Sequence, residues 1–365
     1  LYKISKHIDT EDRLKLLGHI INVAFQWRKE IEALSEHQSL SDHDIKRLNI
    51  ATYQKNQSEV PTIALSSSLA DSVLGADAIF LTGPVLKQRT YAMVLGGHLT
   101  DGQVVVIAPG RTLGAVETAW YLRVGGNSSA ISIVELQSLP FWVQDRDGLL
   151  YLTKTGSVPT AVLPSSNTGV LRTLTALIPE LIPVASVLHS GFGDASGLVE
   201  VVGLTLGGLA LQDGQASLPA GAESLEERYV FRTLLGERHN RIVSTLAVER
   251  RTVATRWGVR NLPSTGEWLD QFAGTINGNT VRPVPDKIQA DNMIRCATMG
   301  SLVPLQSAAQ LAGIPVPATS AMIELAHQSI GGDLLHAGRR LDSMGFASAD
   351  LDNIRTQLDT MTVAT

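Results

Sequence analysis

Strands that are apolar throughout alternate with helical stretches over the first half of the chain, and the second half is helical by period. Together these predict an α/β domain with a parallel, doubly wound sheet joined to an all-α domain. A hydrophobic helix over residues 194–208 links the two, so the expected domains are residues 1–193 and 194–365.

Residues 11–18 have helical spacing at Leu14 and Leu17, and Gly18 terminates the pattern. A short strand follows over 20–25, then a helix over 27–36 with Ile31 and Leu34 on one face. Residues 39–59 are polar and irregular; 63–66 read as a short strand and 68–74 as a helical turn. The regular part then begins: strand 78–82, helix 86–95, strand 103–108, helix 112–124, strand 131–136. Strand character returns over 149–163, helix over 168–177, and 184–189 is a last strand or loop. Beyond it, 224–256, 266–273, 290–311, 318–331 and 350–358 are helical by period.

In sheets of this kind ligands bind beyond the carboxyl ends of the strands. That places Gly83 and Pro84, then Pro109, Gly110 and Arg111, then the stretch from Gln137 to Phe141 at the mouth of a site. Each of these alone is ordinary turn chemistry; three in succession at strand ends point to a ligand. In the linking helix, Leu198 to Leu206 is a nearly unbroken apolar run with Glu200 inside it. A carboxylate there is costly to bury unpaired, so Glu200 is protonated, ion-paired, or facing a cleft. A structural ion pair and an acid/base group are the two accounts of it.

Composition narrows the partners. A net charge of −5 with no basic block argues against nucleic acid. No apolar run reaches the roughly 18 to 20 residues that span a bilayer. The single cysteine, Cys296, excludes an intrachain disulfide and fits a reducing, cytoplasmic setting. No His/Cys/Asp/Glu spacing suggests a metal site, and Arg250-Arg251 reads as a charged helix face.

Several motifs in order carry a resemblance: Ala76 to Pro84, Asp101 to Arg111, Glu135-Leu136-Gln137-Ser138-Leu139-Pro140-Phe141, Leu302-Val303-Pro304-Leu305, Leu311 to Pro317, and Gly338-Arg339-Arg340-Leu341. From about residue 20 onward the chain resembles the octopine/nopaline (opine) dehydrogenase family. The resemblance implies a Rossmann-like domain followed by an all-helical domain, and reduction by NAD(P)H of an imine formed between an amino acid and a 2-oxo acid. If a nucleotide binds, Gly83, Pro84 and Gly110 are the expected contacts.

Three departures from the family pattern stand out. Tyr2 to Asp12 holds no glycine, whereas a pyrophosphate needs a Gly-rich turn for close backbone approach; residues missing ahead of Leu1 are the alternative explanation. The family's Asn-x-x-x-His at the start of the linking helix reads Ser196-Gly197-Leu198-Val199-Glu200, with glutamate in the histidine's register. The aspartate that partners that histidine is replaced by Ala297, at the end of Asp291-Asn292-Met293-Ile294-Arg295-Cys296.

With hydride delivery removed, condensation of an amine with a carbonyl remains, and an iminium can be attacked by a carbon nucleophile of the same substrate. The expectation is therefore a cofactor-free, Pictet-Spengler-like cyclisation in amino-acid-derived biosynthesis. Glu200 is its acid/base, with a pKa raised by Val199, Val201 and Val202. Asp291 is the second catalytic candidate, and Asp291 and Arg295 are candidates to orient a substrate carboxylate or to tune Glu200. Ser196, Arg295, Gln137, Ser138, Phe141, Trp142 and Met293 are the substrate-binding candidates, with Arg295 suited to a substrate carboxylate. The alternatives are a surviving NAD(P)H-dependent oxidoreductase and a catalytically silent scaffold. The expected partners are small-molecule amine and carbonyl substrates, with a homodimer expected by analogy with two-domain dehydrogenases.

Overall fold

The computed structural model describes residues 69–82, 84–146, 149–154, 157–207, 237–272, 287–346 and 351–360. The elements expected over residues 11–66, together with Gly83 and Gly208, lie outside them.

After helix α1 (Leu69–Val73), three strands run parallel: β1 (Ala78–Leu81), β2 (Val104–Ile107) and β3 (Ser132–Leu136). They are joined by helices α2 (Val85–Leu95) and α3 (Gly114–Val124). The hydrophobic run of each strand serves two buried faces. Ile79, Leu81, Val105, Ile107 and Ile133 enter one apolar cluster, while Ala78, Phe80, Val106, Val134 and Leu136 enter another. That alternation is the two-sided burial expected of a parallel sheet covered by helices.

The remainder of the sheet is mixed. A separate antiparallel ribbon, β4 (Phe141–Arg146) with β5 (Leu149–Lys154), is followed by β6 (Val158–Leu163), which pairs antiparallel with β3. Helix α4 (Thr168–Leu177) leads to β7 (Leu181–Pro183), parallel to β6, so the sheet order is β1-β2-β3-β6-β7. Residues 184–189, expected as strand or loop, instead lead into helix α5 (Val187–Gly193). The strand ends before them at Pro183, after which the Val184 amide makes a last bond to the Thr160 carbonyl at 2.9 Å.

The linking helix α6 (Ser196–Leu206) is buried from Ser196 to Leu204. It packs against α7 (Glu237–Arg256) and α9 (Lys287–Ala297), with α8 (Thr265–Phe272) between them in sequence. The stretch read as one helix over 290–311 is broken by a π turn, Thr298–Leu302, before α10 (Val303–Leu311). Helices α11 (Pro317–Ile330), α12 (Leu334–Ala337) and α13 (Leu351–Thr360) complete the described chain, and no described residue beyond Pro183 is in a strand.

The two halves do not have separate cores. Trp257, Leu305, Ala308 and Leu341 from the helical half join the cluster that covers one face of the sheet. Along α6 the packing is closest at Gly197, where a Cβ would lie 2.4 Å from the Cβ of Ser301. Any side chain there would push α6 away from the π turn.

Candidate active site

The carboxyl ends of β2 and β3, the start of α6 and the π turn meet at one buried polar cluster. Arg111 is its centre. It leaves β2 in a turn where Arg111 and Leu113 both have positive φ, 55° and 62°, a conformation that costs a residue with a large side chain roughly 1–2 kcal/mol. Its Nη2 donates to Glu200 Oε2 at 2.8 Å and its Nη1 to Ser196 Oγ at 2.5 Å. Ser196 Oγ donates in turn to Asp194 Oδ2 at 2.6 Å, and the Ser196 amide donates to Asp194 Oδ1 at 2.9 Å. Asp194, just ahead of the N-cap Ala195, thus satisfies the first amide of α6. From the π turn, Ser301 Oγ reaches Asp194 Oδ2 at 3.4 Å.

All of these side chains are buried. Burial alone pushes the Arg111 guanidinium down, but the Glu200 and Asp194 carboxylates, with a smaller effect from the Cys296 thiol, outweigh it and hold the group above its ordinary value. Arg111 is a fixed cation.

Glu200 therefore does not sit alone among valines. The expectation of a carboxyl raised by apolar neighbours is corrected by Arg111, which approaches from 89 residues away in sequence. The group with that character is Glu135, at the end of β3. It is fully buried, which pushes its carboxyl up to about 7 against hydrogen bonds from Ser190 Oγ at 2.5 Å and the Ala115 amide at 2.7 Å. Gly110 lies directly over it, where a Cβ would come within 2.2 Å of Glu135 Cγ. The close approach that requires glycine at this position is to Glu135.

The other candidates are dispersed. Gln137 is buried and its Nε2 donates to the Ser190 carbonyl at 2.8 Å, while its Oε1 has no partner. Ser138 Oγ donates to the Leu139 carbonyl at 3.2 Å. Pro84 is the residue preceding α2. Phe141 and Trp142 begin β4, opposite Lys154 and Thr153. On α9, Met293 packs against the helical core, and Asp291 is half-buried with no hydrogen bond or ion pair among the described residues. The Arg295 Nη1 lies 3.5 Å from the Gly331 carbonyl, at the end of α11.

Arg250 and Arg339 were not singled out as site residues, and both support the cluster from beneath. Arg250 is buried rather than part of a charged face, and donates to the carbonyls of Phe192, Gly193 and Pro263. Arg339 Nη1 donates to the carbonyls of Gly110 at 3.0 Å, Thr112 at 2.6 Å and Gly300 at 3.3 Å. Only the Gly338-Arg339-Arg340 motif hinted at the latter.

No helix among the described residues is long and apolar enough to cross a membrane, and no described group of His, Cys, Asp and Glu is arranged to hold a metal ion. No family model matches the chain. Its sequence is 22% identical over 314 residues to an opine dehydrogenase of Arthrobacter sp. (strain 1C), covering 81% of this chain and 82% of that protein. Its fold is that of octopine dehydrogenase. The structure of that enzyme with NADH and agmatine matches with a TM-score of 0.59 at 16% identity, over 79% of each chain. A second, with NADH and pyruvate, matches with the same score, identity and coverage. The chain is thus similar in sequence to an opine dehydrogenase over most of its length and shares the two-domain fold of octopine dehydrogenase.

Proposed function

We propose that this protein joins an amine to a carbonyl compound and reduces the resulting imine with NAD(P)H. The observation that carries the reading is the Arg111–Glu200 pair at the start of α6, because it supplies a carboxylate base beside a fixed cation where the two halves meet. Support for the reductive half comes from the relatives, one named an opine dehydrogenase and two solved with NADH.

The described residues fit the rim of such a cofactor site. β1, β2 and β3 end side by side, and beyond them Gln137 Oε1 and Gln88 Oε1 are buried acceptors with no partner among the described residues. Gln137 and Gln88 would hold the cofactor by accepting from amide or hydroxyl donors. The segment expected to face its pyrophosphate falls in residues 1–68, outside the described structure. When bound, the cofactor supplies a hydride to the imine carbon.

The condensation belongs to the chain's own groups. The Glu200 carboxylate accepts a proton from the substrate ammonium, which frees the amine to attack the carbonyl carbon. The same proton then passes from Glu200 to the carbinolamine oxygen, which leaves as water and gives the iminium. Arg111 favours the carboxylate form of Glu200 and lends its remaining N–H donors to an anionic substrate group. Ser196, held between Arg111 and Asp194, fixes the guanidinium plane.

The test is calorimetric titration with NADH and NADPH, followed by loss of NADH absorbance with paired amines and 2-oxo acids. Micromolar nucleotide binding with turnover is expected. No binding at millimolar nucleotide would sink the reductase and leave condensation alone or a silent scaffold. Turnover by Glu200→Gln at the unaltered rate would remove Glu200 from the chemistry.

A further inference from the structure

We infer that Arg339, from the far end of the chain, is a positioning residue that sets the place and orientation of Arg111. The inference deepens the reading of the site given above and rests on it only for the reaction assayed.

The turn that carries Arg111 does not hold its own shape by propensity. Arg111 and Leu113 are both in the left-handed region, with only Thr112 between them. Such conformations persist where the surroundings over-determine them, and Arg339 is the group that does so. One nitrogen, Nη1, gathers the carbonyls of Gly110 and Thr112, on either side of Arg111, with that of Gly300 from the π turn. The Thr112 amide donates to the same Gly300 carbonyl at 3.1 Å, which closes the junction between the turn and the helical half.

The clamp is itself fixed. Arg339 Nε donates to Glu117 Oε2 at 2.8 Å, and Arg89 Nη2 donates to Glu117 Oε1 at 2.6 Å. Glu117 is buried, which by itself would push its carboxyl up; Arg339 and Arg89 reverse that and hold it below the usual carboxylate range. The order is then Arg89 and Glu117 on the α/β half, Arg339 from the helical half, the turn 110–112, and Arg111 reaching back to Glu200 and Ser196. No other described side chain donates to the carbonyls of both Gly110 and Thr112.

Cys296 gives a reporter that needs no turnover. It is the only cysteine of the chain, it is half-buried, and its charge is coupled to that of Arg111. That coupling is reciprocal, so withdrawing the guanidinium disfavours the thiolate. The experiment measures the rate of alkylation of Cys296 by iodoacetamide against pH in the full chain. It compares unaltered protein with Arg111→Gln, Arg339→Gln and Arg339→Lys, each checked for folding by circular dichroism and thermal melting. Arg111→Gln should move the alkylation profile to higher pH. Arg339→Gln should move it in the same direction, and Arg339→Lys, which keeps the charge but not the fork, by less. In the imine-reduction assay Arg339→Gln should lower kcat by ~10- to 100-fold, as for a displacement of about 1 Å in a reacting group, with KM for the nucleotide unchanged.

A folded Arg339→Gln with an unshifted profile overturns the inference, as does an unshifted Arg111→Gln, since Arg111 would not be where the clamp holds it. If Arg339→Gln does not fold, Arg339→Lys and Glu117→Gln decide by the same readout. Absence of nucleotide binding in unaltered protein would defeat the reductase reading while leaving the alkylation result to stand.

Discussion

Two buried carboxyls lie on either side of the turn 109–113, and the molecule treats them oppositely. Glu200, on the linking helix, receives a guanidinium at 2.8 Å. Glu135, at the end of β3, receives a serine hydroxyl and a backbone amide but no cation in contact. Burial is equally complete for both, so burial alone does not set their character. Glu200 has a charged partner; hydrogen bonds without one leave Glu135 a weak acid near neutrality. The first is suited to taking a proton from a substrate, the second to bracing helix α3 and α5 against β3.

The largest effect should come from making the two sites alike. Arg111→Met strands Glu200 without its cation, and breaking a buried pair from one side costs about 3–5 kcal/mol. Urea unfolding should register that loss, and imine reduction should fall by at least ~100-fold. Adding Glu200→Leu to Arg111→Met should restore most of the stability and none of the activity. If the double variant stays as unstable as the single one, the pair is not the source of the loss. Glu200→Gln alone keeps the shape and a hydrogen bond to Arg111 while removing the proton acceptor. A loss of roughly 10²- to 10⁴-fold in kcat is expected for a group in acid/base work, together with a loss of stability, because Arg111 is left buried without its carboxylate.

The other carboxyl makes the contrast visible through pH. Native Glu135 holds its proton up to about 7, from an ordinary 4.5 in the unfolded chain. Between those values the native state binds more protons than the unfolded state, so this group's contribution to stability is full below the lower value. It is lost as pH rises through the upper one. Across that window the loss is on the order of 3 kcal/mol. Glu135→Gln should remove this dependence, so the stability difference between the variant and unaltered protein should grow in the variant's favour from acid to neutral pH and level off above. A difference that stays constant with pH would place the Glu135 titration elsewhere.

What the sequence made legible follows from how local each signal is. The three parallel strands, the intervening helices and helix 168–177 each rest on a run of contiguous residues, and all are present. The register of Ser196 and Glu200 at the start of α6 was likewise readable from a single motif. The strand Phe141–Arg146 was missed because its aromatics drew a site reading, although the Asp147-Gly148 dipeptide before Leu149 is a hairpin signal. The partners of Glu200 were not readable at all. Val199, Val201 and Val202 are its neighbours in sequence, but Arg111 reaches it only once β2 is laid beside β3 and α6 docks on both. The same holds for Arg339, which lies 229 and 227 residues from the carbonyls of Gly110 and Thr112 that it binds.

The smallest expected effect separates the arginine chosen by sequence from the one chosen by the fold. Arg295 and Asp291 sit on α9, four positions apart. Yet Arg295 reaches only the Gly331 carbonyl at 3.5 Å, from a position open to water, and a long contact of that kind contributes little. Arg295→Ala and Asp291→Asn should each stay within about 0.5 kcal/mol in urea unfolding and leave kcat within about twofold, less than one kcal/mol in barrier. The comparison with Arg111→Met is then between two arginines of the same charge, separated by whether the fold buries them against Glu200. A large fall in kcat from Arg295→Ala, with stability unchanged, would mean that substrate contacts Arg295 and would move the anionic end of the site toward α9 and α11.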